Sequence, residues 1–167
     1  MNNKQKNQFF GWATLLLAFA FLSSCGDKGD VIRMVRNGVA YEFDVQQTQC
    51  SPSVSTTGSA VINSLECQVI YNGAGQLGGT IVLYINSIPT IADQYMNQDI
   101  YLSQGAVWAT LVEGNFPSAV TGGIVNFSAI TNYIGGQVCF TLDATTITVS
   151  DLYLDTCGAV VTYGSYL

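Results

Sequence analysis

Residues 122–142, GGIVNFSAITNYIGGQVCFTL, decide the fold class. The stretch holds two runs, GGIVNF (122–127) and GGQVCFTL (135–142), each opened by a glycine pair. In the first, Val125, Phe127 and Ala129 fall on one side of an extended chain. In the second, Val138, Phe140 and Leu142 fall on one side and Cys139 on the other. Alternation with a period of two marks strands with one buried face, and glycine pairs mark turns.

The same pattern extends in both directions. Thr80–Ile85 (TIVLYI) and Ala106–Val112 (AVWATLV) are apolar on both faces, as in strands central to a packed core. Val39–Val45 puts Val39, Tyr41 and Phe43 together, and Cys67, Val69 and Tyr71 share a face. Thr145–Val149 and Gly158–Tyr163 complete the series. Further turn dipeptides are Asn37-Gly38, Asn72-Gly73, Gly78-Gly79 and Gly114-Asn115. Helical signal is confined to one turn at Ile91–Met96, after Pro89. The three glycine-led strands have no fixed spacing, so they are turn-then-strand units and not a repeat. The expected fold is all-β: an antiparallel β-sandwich, with a small β-barrel as the alternative.

The N-terminus carries a different message. Lys4 and Lys6 precede an uncharged, mostly apolar run of 14 residues, Phe9–Leu22. A bilayer-spanning helix needs about 20 such residues and a signal-peptide core about 7–15. Leu22-Ser23-Ser24-Cys25 then resembles the lipobox of bacterial lipoproteins, in which the cysteine is acylated and becomes N-terminal. The resemblance implies a signal peptide over residues 1–24, lipidation at Cys25 and the bilayer as a partner through that anchor. It also implies a bacterial cell-envelope location. Gly26, where an aspartate would favour inner-membrane retention, favours the outer membrane. Residues 25–37 are then the lipidated N-terminus and tether, with Val31–Val35 a candidate opening strand, and residues 38–167 a single domain. GGIVNF followed by GGQVCFTLDA also resembles the closing hairpin of small Gram-negative envelope lipoprotein domains of uncharacterised function. That likeness implies a β-sandwich and no catalytic residues.

Without residues 1–24 the chain has 143 residues, enough for one domain and too few for two ordinary ones. Lys28, Arg33 and Arg36 then stand against eleven acidic residues, a net charge of −8, and no basic residue follows Arg36. Nucleic acid is excluded as a partner, because binding it requires cations against phosphates. Beside the anchor, the simplest use of the three cations is attraction to anionic headgroups, although mobile charges near a tether are usually just solvated.

Cys50, Cys67, Cys139 and Cys157 make an even set, which in an oxidising compartment reads as disulfides. Their spacings of 17, 72 and 18 lack the tight pairs of a zinc site. Of the three connectivities, Cys50–Cys67 with Cys139–Cys157 is favoured, because each bond would clip neighbouring strands.

Histidine is absent and no lysine follows Lys28, so His-based triads, His metal sites and Schiff-base chemistry have no residues to use. Carboxylates remain: Glu42, Asp44, Glu66, Glu113 and Asp143, of which a glycosidase needs two about 5–10 Å apart. Asp151 with Asp155 and Asp93 with Asp99 have the oxygen chemistry of calcium ligands but no EF-hand spacing, and are expected to be solvated loop residues. No metal or cofactor site and no catalytic residue is assigned. Trp108, Tyr84 and Tyr101, with Tyr95 and Tyr133, are candidates for a sugar-stacking surface. The expectation is a membrane-anchored envelope lipoprotein with a non-catalytic structural or interaction role, whose partner is an envelope protein or glycan. The alternatives are a glycan- or peptidoglycan-binding module and a carboxylate-dependent glycosidase.

Overall fold

The computed structural model describes residues 30–53, 62–73, 76–102 and 105–162. The proposed signal peptide and Cys25 lie outside the described residues. The elements are β1 (Val31–Arg36), β2 (Val39–Pro52), β3 (Ser64–Gly73), β4 (Gln76–Asn86), α1 (Ile88–Gln94) and β5 (Asp99–Tyr101). Then follow β6 (Val107–Glu113), β7 (Phe116–Ala129), β8 (Gln137–Thr146) and β9 (Asp151–Val160).

The strands form one closed sheet, not two facing ones. Around the wall the order is β7-β6-β4-β3-β2-β1-β9-β8, and β7 pairs with β8 to complete the ring. The result is an eight-stranded antiparallel up-and-down barrel, with β5 added beside the C-terminal half of β7. This corrects the sandwich to its alternative. Both architectures need the same in–out alternation, so strand pattern does not separate them. Closure lies in the distant pair β1–β9, which joins the first strand to the last.

The first strand begins at Val31, within the stretch assigned to the tether and at its candidate opening strand. Ile32 and Met34 point inward from it and are fully buried. Asn37 and Gly38, both with positive φ (49° and 76°), make the tight turn into β2. Two glycine pairs assigned to turns lie inside strands instead. Gly78-Gly79 is in β4 and Gly122-Gly123 in β7. Gly123, at φ 145°, lies so close to β8 that an added Cβ would sit 2.3 Å from the Asp143 carbonyl oxygen. The glycines there permit close approach of strands and a bulge between Val120 and Gly122. The helix is one residue longer than the expected turn and starts earlier, at Ile88, with Pro89 at its first turn.

Inward residues of all eight strands form one core, including Phe43, Leu65, Tyr71, Ile81, Leu83, Leu111, Phe127, Phe140 and Leu154. The two ends differ. At one, Ile88 and Ile91 of α1 join Ile62, Ile100, Leu102 and Ile130 over the core. Backbone bonds tie this end together: Ile88 N–H to Asn63 O, Ile62 N–H to Asn132 O and Val161 N–H to Cys50 O. The other end carries the β1–β2, β3–β4, β6–β7 and β8–β9 connections. Chain entry at β1 is at the helix end.

Both disulfides join directly paired residues of neighbouring antiparallel strands, with Cα atoms 4.0 Å apart. Cys50–Cys67 links β2 to β3, and Cys139–Cys157 links β8 to β9. The sequential pairing is the one formed.

Candidate functional site

The alternation of β4 and β6 fixes where the candidate aromatics point. Leu83, Ile85, Val107 and Ala109 fill the core, so Tyr84 and Trp108 stand on the outer wall, directly opposite one another. Their rings stack, with centroids 5.1 Å apart and planes 15° from parallel, and Trp108 is 42% exposed. At that spacing the rings lie face to face and do not form a flat two-ring platform. Glu66 of β3 is the next residue in the row, opposite Tyr84, and accepts a 2.8 Å hydrogen bond from Gln68 Nε2. The outer wall thus carries a strip of carboxylate, amide, phenol and indole.

The other aromatics are dispersed. Tyr101 is exposed on β5, opposite Ile124 of β7. Tyr95 ends α1 and Tyr133 lies between β7 and β8, both exposed.

The carboxylates do not converge. Glu42 pairs with Arg33 at 2.8 Å, both well exposed. The register continues that row as Glu42, Arg33, Tyr153, Asp143. Three strand spacings separate Glu42 from Asp143, roughly 14 Å between backbones, beyond the reach of a glycosidase pair. Both border a shallow depression of about 530 Å³ that also includes Asp151. Asp44 is exposed on β2 opposite Asn72. Asp151 and Asp155, expected in a loop, lie on the outer face of β9, because Leu152 and Leu154 between them point inward. Asp93 is exposed on α1, and Asp99 on β5 accepts a bond from Asn126 Nδ2 at 3.1 Å. Among the described residues no group of three or more acidic or cysteine side chains is placed to hold a metal ion.

Glu113 and Arg36 depart from their expected settings. Glu113, one of the carboxylates available to a glycosidase and placed just before the Gly114-Asn115 turn, is in phase with Val107, Ala109 and Leu111 and points into the barrel. Arg36, expected beside the anchor, lies at the far end of β1 from chain entry and also points inward. The two form an ion pair across the lumen, and Tyr71 OH donates to the same Glu113 oxygen at 2.9 Å. Arg36 Nη2 also reaches Met34 Sδ at 3.0 Å. Burial of Tyr71, and its bond to the Glu113 carboxylate, push the phenol well above its ordinary pKa near 10. Tyr71, Gly79 and Glu113 occupy one row across β3, β4 and β6. A Cβ on residue 79 would sit 2.5 Å from Tyr71 Oη. Glycine there opens the path by which the phenol crosses β4 to reach β6. This cluster closes the turn end of the lumen. Its signal in the sequence was the phase of Glu113 with the apolar residues of its strand.

Outside the cluster, the charged residue nearest this end among the described residues is Asp151, which opens β9 after the β8–β9 turn. The end exposes three large apolar side chains, Val39 (51%), Phe116 (81%) and Ile147 (86%), beside the β1–β2, β6–β7 and β8–β9 turns in that order. The wall below is acidic, with Glu42, Asp44, Glu66, Asp99, Asp143, Asp151 and Asp155 facing out and Arg33 as its cation.

Comparison of this chain with protein-family models, with curated proteins and with solved structures found no match.

Proposed function

We propose that this protein is a lipid-anchored lipoprotein of the bacterial envelope that acts as a non-catalytic interaction module. It presents its turn end to an apolar, uncharged patch on a partner protein. The observation that carries this reading is the exposure of Val39, Phe116 and Ile147 around the rim of the end opposite chain entry. From Cys25 to Asp30 the chain spans at most roughly 20 Å. Strands of this length, tilted as in a barrel, add roughly 25 Å beyond that. An anchor at Cys25 would therefore hold the apolar rim away from its own bilayer and toward other envelope components. Side chains scattered singly on a surface need no explanation; here three from separate turns sit around the rim of one end.

Photo-cross-linkers placed in cells at Phe116 and Ile147 test the rim, with Thr141 on the wall as control. A discrete adduct from the rim positions alone is expected. Adducts from Thr141 of the same pattern, or none from the rim, would overturn the reading. Cys25→Ala tests the anchor: the variant is expected to remain unprocessed or leave the membrane fraction. Membrane fractionation after complete signal cleavage would remove the lipid from the account.

The stacked Tyr84–Trp108 pair supports a second reading, carbohydrate binding on the wall beside Glu66 and Gln68. Trp12 lies in the proposed signal peptide, so Trp108 is the one indole of the mature chain. A shift in tryptophan emission on adding peptidoglycan fragments, abolished by Tyr84→Ala, would favour this reading. An unchanged spectrum at saturating glycan would dismiss it.

A further inference from the structure

The two disulfides lie on opposite sides of the same wall. Cys50 and Cys67 point inward and are both 0% exposed. On β8 and β9 the inward residues are Val138, Phe140, Leu154, Thr156 and Val160, which turns Cys139 and Cys157 outward. Cys157 is exposed and Cys139 half-buried. Their nearest neighbours on the outer face along each strand include Ala159 and Thr141, which are small.

We infer that Cys139–Cys157 is a thiol–disulfide exchange site, open to a dithiol in the folded protein, while Cys50–Cys67 is a closed structural bond. Exchange requires a thiolate to reach one sulfur. Only the outer bond offers one without opening the core. One thiolate of the dithiol attacks Cys157 Sγ and a mixed disulfide forms. The Cys139–Cys157 bond breaks, and Cys139 leaves as a thiolate that takes up a proton. The second thiol of the reductant, as thiolate, then attacks the mixed disulfide and releases Cys157, which is protonated in turn. Two electrons pass to the protein, and the dithiol is oxidised to its own disulfide.

The barrel retains its closure in the reduced form. β9 stays paired with β8 from Gln137↔Ala159 to Ala144↔Leu152. Its C-terminal end also pairs in parallel with β2, at Gln49↔Ala159 and Cys50↔Val160. The freed thiols are therefore held opposite one another at 4.0 Å between Cα atoms, ready to re-form the same bond.

The test treats the purified, oxidised full-length chain with dithiothreitol in native buffer. Thiols are trapped with N-ethylmaleimide at intervals and mapped by mass spectrometry. Cys139 and Cys157 should label at least roughly a hundredfold faster than Cys50 and Cys67, because the inner pair waits for the core to open. The near-ultraviolet circular dichroism should persist, and removal of the reductant should restore Cys139–Cys157. Labelling of all four cysteines together, with loss of that signal, would overturn the inference. So would protection of both pairs until denaturant is added. Cys139→Ser gives an independent check: its Cys157 thiol should react with an aromatic disulfide reagent in the folded protein. A thiol that reacts only after denaturation would also refute the assignment.

Discussion

The turn end of the lumen depends on four residues with different roles. Tyr71 supplies the long side chain, Gly79 the gap, Glu113 the acceptor and Arg36 the countercharge. Removing the hydroxyl in Tyr71→Phe deletes a bond to a half-buried carboxylate and should cost about 1–2 kcal/mol at pH 8. The cost depends on pH in a defined direction. The native phenol holds its proton above the ordinary value near 10, so above that pH the native state binds more protons than the unfolded state. This contribution is complete below pH 10 and is lost as pH rises past it. The stability gap between wild type and Tyr71→Phe should therefore narrow between pH 8 and pH 11 in urea titrations; a constant gap would mean that the phenol does not titrate differently in the two states. Gly79→Ala places a methyl 2.5–2.9 Å from Tyr71 Oη, Tyr71 Cζ and the Val112 carbonyl oxygen. Because the neighbouring carbonyl belongs to a strand in the wall, the strain has few outlets. Unfolding should be easier by about 1–3 kcal/mol, a loss that a urea midpoint would show. An unchanged midpoint would mean that Tyr71 can turn aside freely.

At the scale of elements, the core faces of β3, β7 and β8 were legible because their apolar residues alternate, and β4 and β6 because they are apolar runs. The missing length of β7 has a clear cause. Pro117 and Gly122-Gly123 signal breaks, yet Pro117 sits in an edge-like stretch and the glycines accommodate a bulge. Asp151–Val160 was obscured because Thr156 and Gly158 occupy inward positions where larger apolar residues are the usual marker. Gly158 is inward because Thr48 packs against its backbone, and Thr156 because its hydroxyl pairs with Thr48 at 2.6 Å. The disulfides were legible as strand clips, but their sides of the wall emerge only with the register. That difference has a measurable consequence. The bonds close loops with separations of 17 and 18 residues, so the chain-entropy contribution of each is the same, about 3 kcal/mol. Replacing both cysteines by Ala should therefore cost more at Cys50 and Cys67, by about 1 kcal/mol or more, since core volume is lost as well. Urea unfolding of the two double variants decides this. Equal losses would show that the inner sulfurs contribute no packing.

At the scale of the molecule, the sequence reading preferred the sandwich and the structure is the barrel it held as alternative, since the distinction lies in which distant strands meet. Here β1 is the closing element. It runs between β2 and β9, with pairs from Val31↔Asp44 to Arg36↔Val39 on one side and Val31↔Asp155 to Val35↔Asp151 on the other. It also supplies Ile32 and Met34 to the core and Arg36 to the lumen cluster. A chain beginning at Asn37, one residue before the expected domain boundary, would leave β2 and β9 with facing open edges. Such edges invite pairing with other chains. The lumen would lose two fully buried side chains, and Glu113 would lose its cation, a combination on the order of the whole stability of a domain this size. A fragment starting at Asp30 retains β1, the Asp30 carboxylate bonded to Thr156 Oγ1 at 2.9 Å, and the Asp30 carbonyl that accepts from Val45 N–H. It should be monomeric, with a cooperative urea transition and a defined near-ultraviolet spectrum. The fragment starting at Asn37 should show neither property and should aggregate on size exclusion. A cooperative transition at the same midpoint from the shorter fragment would mean that the ring closes without β1, by direct pairing of β2 with β9 beyond the short parallel stretch they already share at Gln49↔Ala159.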